Sequence, residues 1–131
     1  MIKFTVLGKP QGKGRPRVTR NGTYTPEATK KYQKLIASSV DAEGTYFDGV
    51  PIRAVISCYY PIPKSMPKYK RDMIINGELY PIVKPDLDNV AKAILDALNG
   101  VLYKDDNQVV ELYVNKHYSD DPRVEVIIEV V

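Results

Sequence analysis

Lys84-Pro85-Asp86-Leu87-Asp88-Asn89-Val90-Ala91-Lys92-Ala93-Ile94-Leu95-Asp96-Ala97-Leu98-Asn99-Gly100-Val101-Leu102-Tyr103-Lys104-Asp105-Asp106-Asn107-Gln108 holds five of the chain's sixteen carboxylates. Pro85 biases Lys84 away from helix, and either Asp86 or Asp88 can serve as an N-cap. Apolar residues then recur at Leu87, Val90, Ala91, Ile94, Leu95 and Leu98, one face of a helix running from about 87 to 99. Gly100 supplies a left-handed C-cap, and Val101-Leu102-Tyr103 reads as the start of an extended return.

A helix rises ~1.5 Å per residue and a strand ~3.3 Å, so the return can carry Asp105 and Asp106 back to Asp86 and Asp88. Carboxylates gathered in this way repel: at an effective dielectric near 20, two charges ~5 Å apart cost about 3 kcal/mol. A hard divalent cation relieves that cost. Oxygen donors with no His and Cys cluster suit Mg²⁺, with Mn²⁺ as a substitute, rather than zinc. The same residues also have a purely structural use, because Asp is a common cap and Asp-Asp-Asn a common turn. A cap needs one carboxylate, however, and Asp86-x-Asp88 offers two. Lys92 follows Asp88 by one turn, where it could simply form an ion pair along the helix.

In the order Asp86-Leu87-Asp88-Asn89, Lys92, Asp96-Ala97-Leu98, Asp105-Asp106-x-Gln108-Val109, this segment resembles the RusA family of Holliday junction resolvases, bacterial and phage endonucleases that cut four-way DNA junctions. The basic opening Gly8-Lys9-Pro10-Gln11-Gly12-Lys13-Gly14-Arg15-Pro16-Arg17 and the final strand pair extend the resemblance over nearly the whole chain. It implies a Mg²⁺-dependent homodimeric nuclease acting on branched DNA. Asp86, Asp88 and Asp106 would be the metal-binding catalytic acids and Lys92 the catalytic lysine. Asp105 matches a neighbouring acidic position to which no role is given.

The chain's net charge of +3 is unevenly spread. Residues 1–31 carry eight basic side chains against Glu27 alone, a balance of +7, and the rest carries eleven basic and fifteen acidic ones, a balance of −4. A basic leader on a weakly acidic body suits an enzyme acting on a polyanion. Gly8 to Thr23 reads as a loop in which Lys9, Lys13, Arg15, Arg17 and Arg20 would lie along a phosphate backbone, unless the run only keeps the loop solvated. A phosphate-binding loop of the nucleotide-triphosphate kind is excluded: the Gly8 to Lys13 interval is a residue short, no Ser or Thr follows Lys13, and Pro16 interrupts any helix. No nucleotide cofactor is therefore expected.

With 131 residues, the chain is read as one domain, 1–131. No apolar run approaches the ~20 residues of a membrane span, and no signal-peptide core is present, so the protein is placed in the cytoplasm with no membrane partner. Cys58, the only cysteine, excludes an internal disulfide and reads as a small buried hydrophobe. His117 lacks a ligand-spaced partner.

Strands are expected at residues 2–7, 50–60, 109–118 and 124–130, from alternation of apolar and polar side chains. The last two should pair as an antiparallel hairpin through Ser119-Asp120-Asp121-Pro122. Thr25-Pro26-Glu27 opens an amphipathic helix reaching about Asp41, and a short helix is expected around 67–76, closed near Gly77. The order gives an α+β, RusA-like fold: a mixed or mainly antiparallel sheet with two main helices packed on it. Two other functions fit the same residues. One is a non-catalytic junction- or DNA-binding module; the other is a different Mg²⁺-dependent phosphohydrolase acting on nucleotides.

Overall fold

The computed structural model describes residues 1–14 and 17–131. Alternation along β4 (Ile52–Pro61) sets the architecture, because Ile52, Ala54, Ile56, Cys58 and Tyr60 all point to one face and are almost wholly buried. β1 (Ile2–Leu7) adds Ile2, Phe4 and Val6 to that face, and β6 (Arg123–Val130) adds Val124, Val126 and Ile128. With β5 (Val109–Ser119) they form a four-stranded sheet in the order β1-β6-β4-β5. β1–β6 and β6–β4 are antiparallel, while β4–β5 is parallel.

Two helices cover the buried face. α1 (Glu27–Ser39) contributes Tyr32 and Ile36, and α3 (Leu87–Ala97) contributes Val90, Ala91, Ala93, Ile94 and Leu95. Full burial of an aliphatic side chain of this size stabilises by roughly 1.5–3 kcal/mol, so this shared layer dominates the core. α2 (Lys68–Ile75) is short, has no buried residue, and ends before Gly77, whose φ is 72°. The fold class is thus α+β with a mixed sheet, as expected, with three α-helices among the described residues.

Three expectations need correction. β5 and β6 do not form a hairpin, because β4 lies between them. Two strand spacings of ~4.8 Å separate β5 from β6, a distance that three extended linking residues can cross. Ser119 sits beside Pro61 and Arg123 beside Tyr59, so the linker rounds the end of β4, where the Arg123 guanidinium lies 3.9 Å from the Tyr59 ring centre. The parallel β4–β5 pair in turn needs a long crossover, and that crossover carries α3 onto the sheet.

The leader is not one long loop. β2 (Arg17–Thr19) and β3 (Gly22–Tyr24) form a small antiparallel ribbon, turning through Arg20-Asn21 into Gly22, whose φ of 119° suits only glycine. The Asn-Gly pair was the hairpin signal.

The chain after α3 is not extended either. Leu98 accepts from Val101 and Leu102 amides, Gly100 N–H donates to Tyr103 C=O at 2.7 Å, and a 3-10 turn follows at Asp106–Gln108. Tyr103 is fully buried with its hydroxyl donating to Leu95 C=O at 2.6 Å, which folds the return tightly against the helix end.

Candidate active site

α3 begins where the Tyr60 hydroxyl, at the end of β4, donates to Pro85 C=O at 2.5 Å. Asp86 is the N-cap residue by backbone conformation, yet its carboxylate makes no capping bond. Neither it nor the Asp88 carboxylate accepts a hydrogen bond among the described residues, and both are exposed. The simple capping use of this pair is therefore not the one adopted. Lys92, one turn on, is exposed too, and its pair with Asp88 is not among the ion pairs of the described residues.

The two aspartates after α3 have different fates. Asp105 caps the 3-10 turn: its carboxylate accepts from Asn107 N–H at 3.1 Å, and Gln108 Oε1 accepts from Asp105 N–H at 3.4 Å. Gln108 Nε2 donates to Phe47 C=O at 2.8 Å and Val50 C=O at 3.1 Å, anchoring the turn to the body. The Asn107 amide, and after it a hydrogen bond with Asp106, hold the Asp105 carboxyl below its usual range. Asp106 is left to face α3.

Asp88, Lys92 and Asp106 line one open cavity of about 550 Å³. Its walls are apolar: Leu87, Ala91 and Leu95 from α3, with Leu112 and Val114 from β5. Burial first, then hydrogen bonds and like charge from Asp105 and Asp96, push the Asp106 carboxyl up to about 6. An acid in that state sits among more negative charge than its surroundings balance.

A family model described as Endodeoxyribonuclease RusA matches residues 8–129. The chain belongs to the RusA endodeoxyribonuclease family. It is also similar to a Bacillus subtilis (strain 168) protein named "Uncharacterized protein YqaN", 45% identical over 139 aligned positions that cover 99% of this chain and 96% of the relative.

On this RusA-family fold, the acids differ from the sequence reading in their grouping. Asp106 lines the cavity it shares with Asp88, and its carboxyl feels the charge of Asp96, about two turns after Asp88 on α3. Asp86 does not line that cavity, and among the described residues no group of three His, Cys, Asp or Glu side chains lies close enough to hold a metal ion. The gap between Asp88 and Asp106 is open rather than filled by packed side chains. Two carboxylates lining one open cavity, with room for water as further ligands, fit the oxygen chemistry of a hard divalent cation. Asp96 is the residue whose part the sequence reading missed. Its signal was there, since 88, 92 and 96 fall at intervals of four on one stripe of the helix.

The basic leader divides as well. Lys9 and Arg20 are exposed, Arg20 at the ribbon turn. Arg15 lies outside the described residues, and Arg17 opens β2. Lys13 points inward, its Nζ donating to Asp96 Oδ2 at 2.5 Å. No helix of the described residues is long and apolar enough to cross a membrane.

Proposed function

We propose that this chain is a Mg²⁺-dependent endonuclease that resolves four-way DNA junctions by phosphodiester hydrolysis. The observation that carries the reading is the meeting of Asp88 and Lys92, both on α3, with Asp106 from the turn that follows it, around one open cavity. Asp88 and Asp106 would hold the cation from the cavity they share, with Asp86, which lies outside that cavity, as the third acid expected from the sequence; Mn²⁺ would serve as a substitute, and Lys92 would neutralise charge developing on the phosphate oxygens. When bound, the cation would supply Lewis-acid polarisation of the phosphodiester and activation of the attacking water. The apolar walls limit solvent on the side facing the sheet. Lys9, Arg15, Arg17 and Arg20 would run along the DNA backbone.

A four-way junction presents two equivalent strands, so a two-fold homodimer would place two sites symmetrically. β5 is an edge strand with Val110, Leu112 and Tyr113 exposed, which supports a second copy as neighbour. Such a protein would work in the cytoplasm.

The test is cleavage of a synthetic mobile four-way junction with and without Mg²⁺. Asp88→Asn should abolish cutting and keep binding; loss of both together would make Asp88 a structural residue. Replacing Arg15 and Arg17 by Ala should flatten the salt dependence of binding, each lost duplex phosphate contact removing about 0.9 from the slope. A non-catalytic binding module is the second reading, favoured by the absence of a three-carboxylate group among the described residues. Such a module would bind junctions and gain no thermal stability from Mg²⁺.

A further inference from the structure

The segment 62–84, between β4 and α3, carries five basic and two acidic side chains, a balance of +3, and takes no part in the site described above. It folds against the far end of β5. There Ile74, Leu79 and Tyr80 from the segment and Tyr59, His117 and Tyr118 from the sheet line a second, smaller cavity of about 260 Å³. That is below the roughly 300–1,000 Å³ of a site for a drug-sized molecule and suits a single planar ring system.

Its rings form a row across the sheet. The Arg123 guanidinium carbon lies 3.9 Å from the Tyr59 ring centre, Tyr59 and His117 stack at 5.3 Å with planes 30° apart, and Tyr80 follows at 6.0 Å from His117. Strand register sets this order, because Tyr59 pairs with Arg123 on one side and His117 on the other. The inner members are fixed. Arg123 donates to Glu125 Oε1 at 2.9 Å and to Asp121 C=O at 2.9 Å, and His117 Nε2 donates to Asn115 Oδ1 at 2.8 Å. The outer member, Tyr80, is 55% exposed, so the row ends in an open ring face rather than in packed core.

The row also lies close to the nuclease cavity. Val114 lines the larger cavity and Tyr118 the smaller, on the same face of β5 and four residues apart. At ~3.3 Å per residue that is about 13 Å. A DNA strand advances ~3.4 Å per stacked nucleotide, so a phosphate held at Asp88 and Asp106 brings the smaller cavity within about four nucleotides of the cut. β5 is the edge of its sheet, and its exposed Val110, Leu112 and Tyr113 are toward the other end of the strand. Exposed Lys64, Lys68 and Lys70 on the same segment supply positive charge for the backbone of such a strand.

We propose that the smaller cavity takes one unpaired base of the branched DNA, stacked on Tyr80 and His117. The inference rests on the nuclease reading and adds to it a feature that separates a branch from plain duplex. Pairing and stacking hold a base inside a duplex, whereas a base at a branch point is released at less cost. Stacking is tolerant of sequence, so the cavity senses that a base is free rather than which base it is.

The experiment uses the full chain in EDTA, which separates binding from cutting. Four-way junctions with 5-iodouracil at successive positions within about four nucleotides of the branch are irradiated in the complex, and the crosslinked residues are mapped by mass spectrometry. Crosslinks to Tyr59, Tyr80 or His117 are expected from a narrow run of positions, and none from any position overturns the proposal. Tyr80→Leu should weaken junction binding roughly 5- to 150-fold, leave binding of a linear duplex and the salt slope unchanged, and Tyr80→Phe should bind as wild type does. Unchanged junction binding by Tyr80→Leu, or equal weakening for junction and duplex, overturns the proposal; the second result makes Tyr80 a backbone contact. Crosslinking needs no variant and decides the matter if Tyr80→Leu does not fold. A chain that neither prefers junctions nor cuts them with Mg²⁺ refutes the nuclease reading. The cavity is then read with a single-stranded oligonucleotide bearing 5-iodouracil: crosslinks at the same three residues uphold base stacking, and their absence overturns it.

Discussion

Replacing Asp106 by Asn removes the carboxylate that the fold accommodates least well. Burial and the neighbouring Asp105 and Asp96 raise its pKa from 3.8 to about 6. The native protein therefore binds this proton more tightly than the unfolded chain does. The resulting penalty is fully present above pH ~6, shrinks as pH falls and the native acid takes up its proton, and is gone near pH ~4. Two pKa units correspond to roughly 3 kcal/mol at about 1.36 kcal/mol each. Solvent reaches this carboxyl, and screening reduces the expected gain for Asp106→Asn to about 1 kcal/mol at neutral pH. With a urea m-value of ~2 kcal/mol/M, that is a midpoint shift of about 0.5 M. The measurement is urea unfolding of wild type and variant in EDTA at pH values of about 7.5, 6 and 4.5. The variant should be the more stable at the highest pH, with its advantage shrinking toward the lowest. A variant less stable than wild type at neutral pH, or an advantage independent of pH, would refute the account of Asp106 as a crowded acid. Since the variant also lacks a proposed cation ligand, Mg²⁺ should raise its Tm less than that of wild type.

Burial pushes the Cys58 thiol up to about 11, so alkylation by iodoacetamide at neutral pH should proceed only at the rate of unfolding; rapid modification of the native protein would contradict its place under the sheet. Tyr103→Phe removes the hydroxyl donor to Leu95 C=O, which keeps its bond from Leu98 N–H at 3.3 Å, and should cost about 1 kcal/mol in urea unfolding. Gly12→Ala drives a Cβ into Asn89; increased protease cutting within the leader is expected, with the core transition little changed. An uncut leader would show that Asn89 can move aside without cost.

Much of the candidate site was legible because it lies on one helix. Apolar spacing from Leu87 to Leu98 identified α3, and with it the common side of Asp88 and Lys92. Alternation likewise identified β4 and the burial of Cys58, since a period of two states which face of a strand meets the core. Composition located the positive charge in the leader, and the Asp-x-Asp and Asp-Asp pairs marked where negative charge would gather.

Periodicity says which face is buried but not which strand lies alongside. β5 and β6 could satisfy the same pattern as a hairpin or across β4, and it is β4's pairing with both, one at each edge, that decided it. That Asp105 caps the 3-10 turn while Asp106 lines the cavity likewise depended on Gln108 reaching Phe47 and Val50, over fifty residues away. Lys13 is one basic residue among several in the sequence, and only the packing of Gly12 against α3 and Gly14 against α1 turns it toward Asp96. The sequence by itself determined the elements and their charges, because those follow from local sterics and from the exclusion of apolar groups from water. The tertiary structure alone decided which charges meet, because Coulomb attraction and close packing act between atoms that the chain's order keeps far apart.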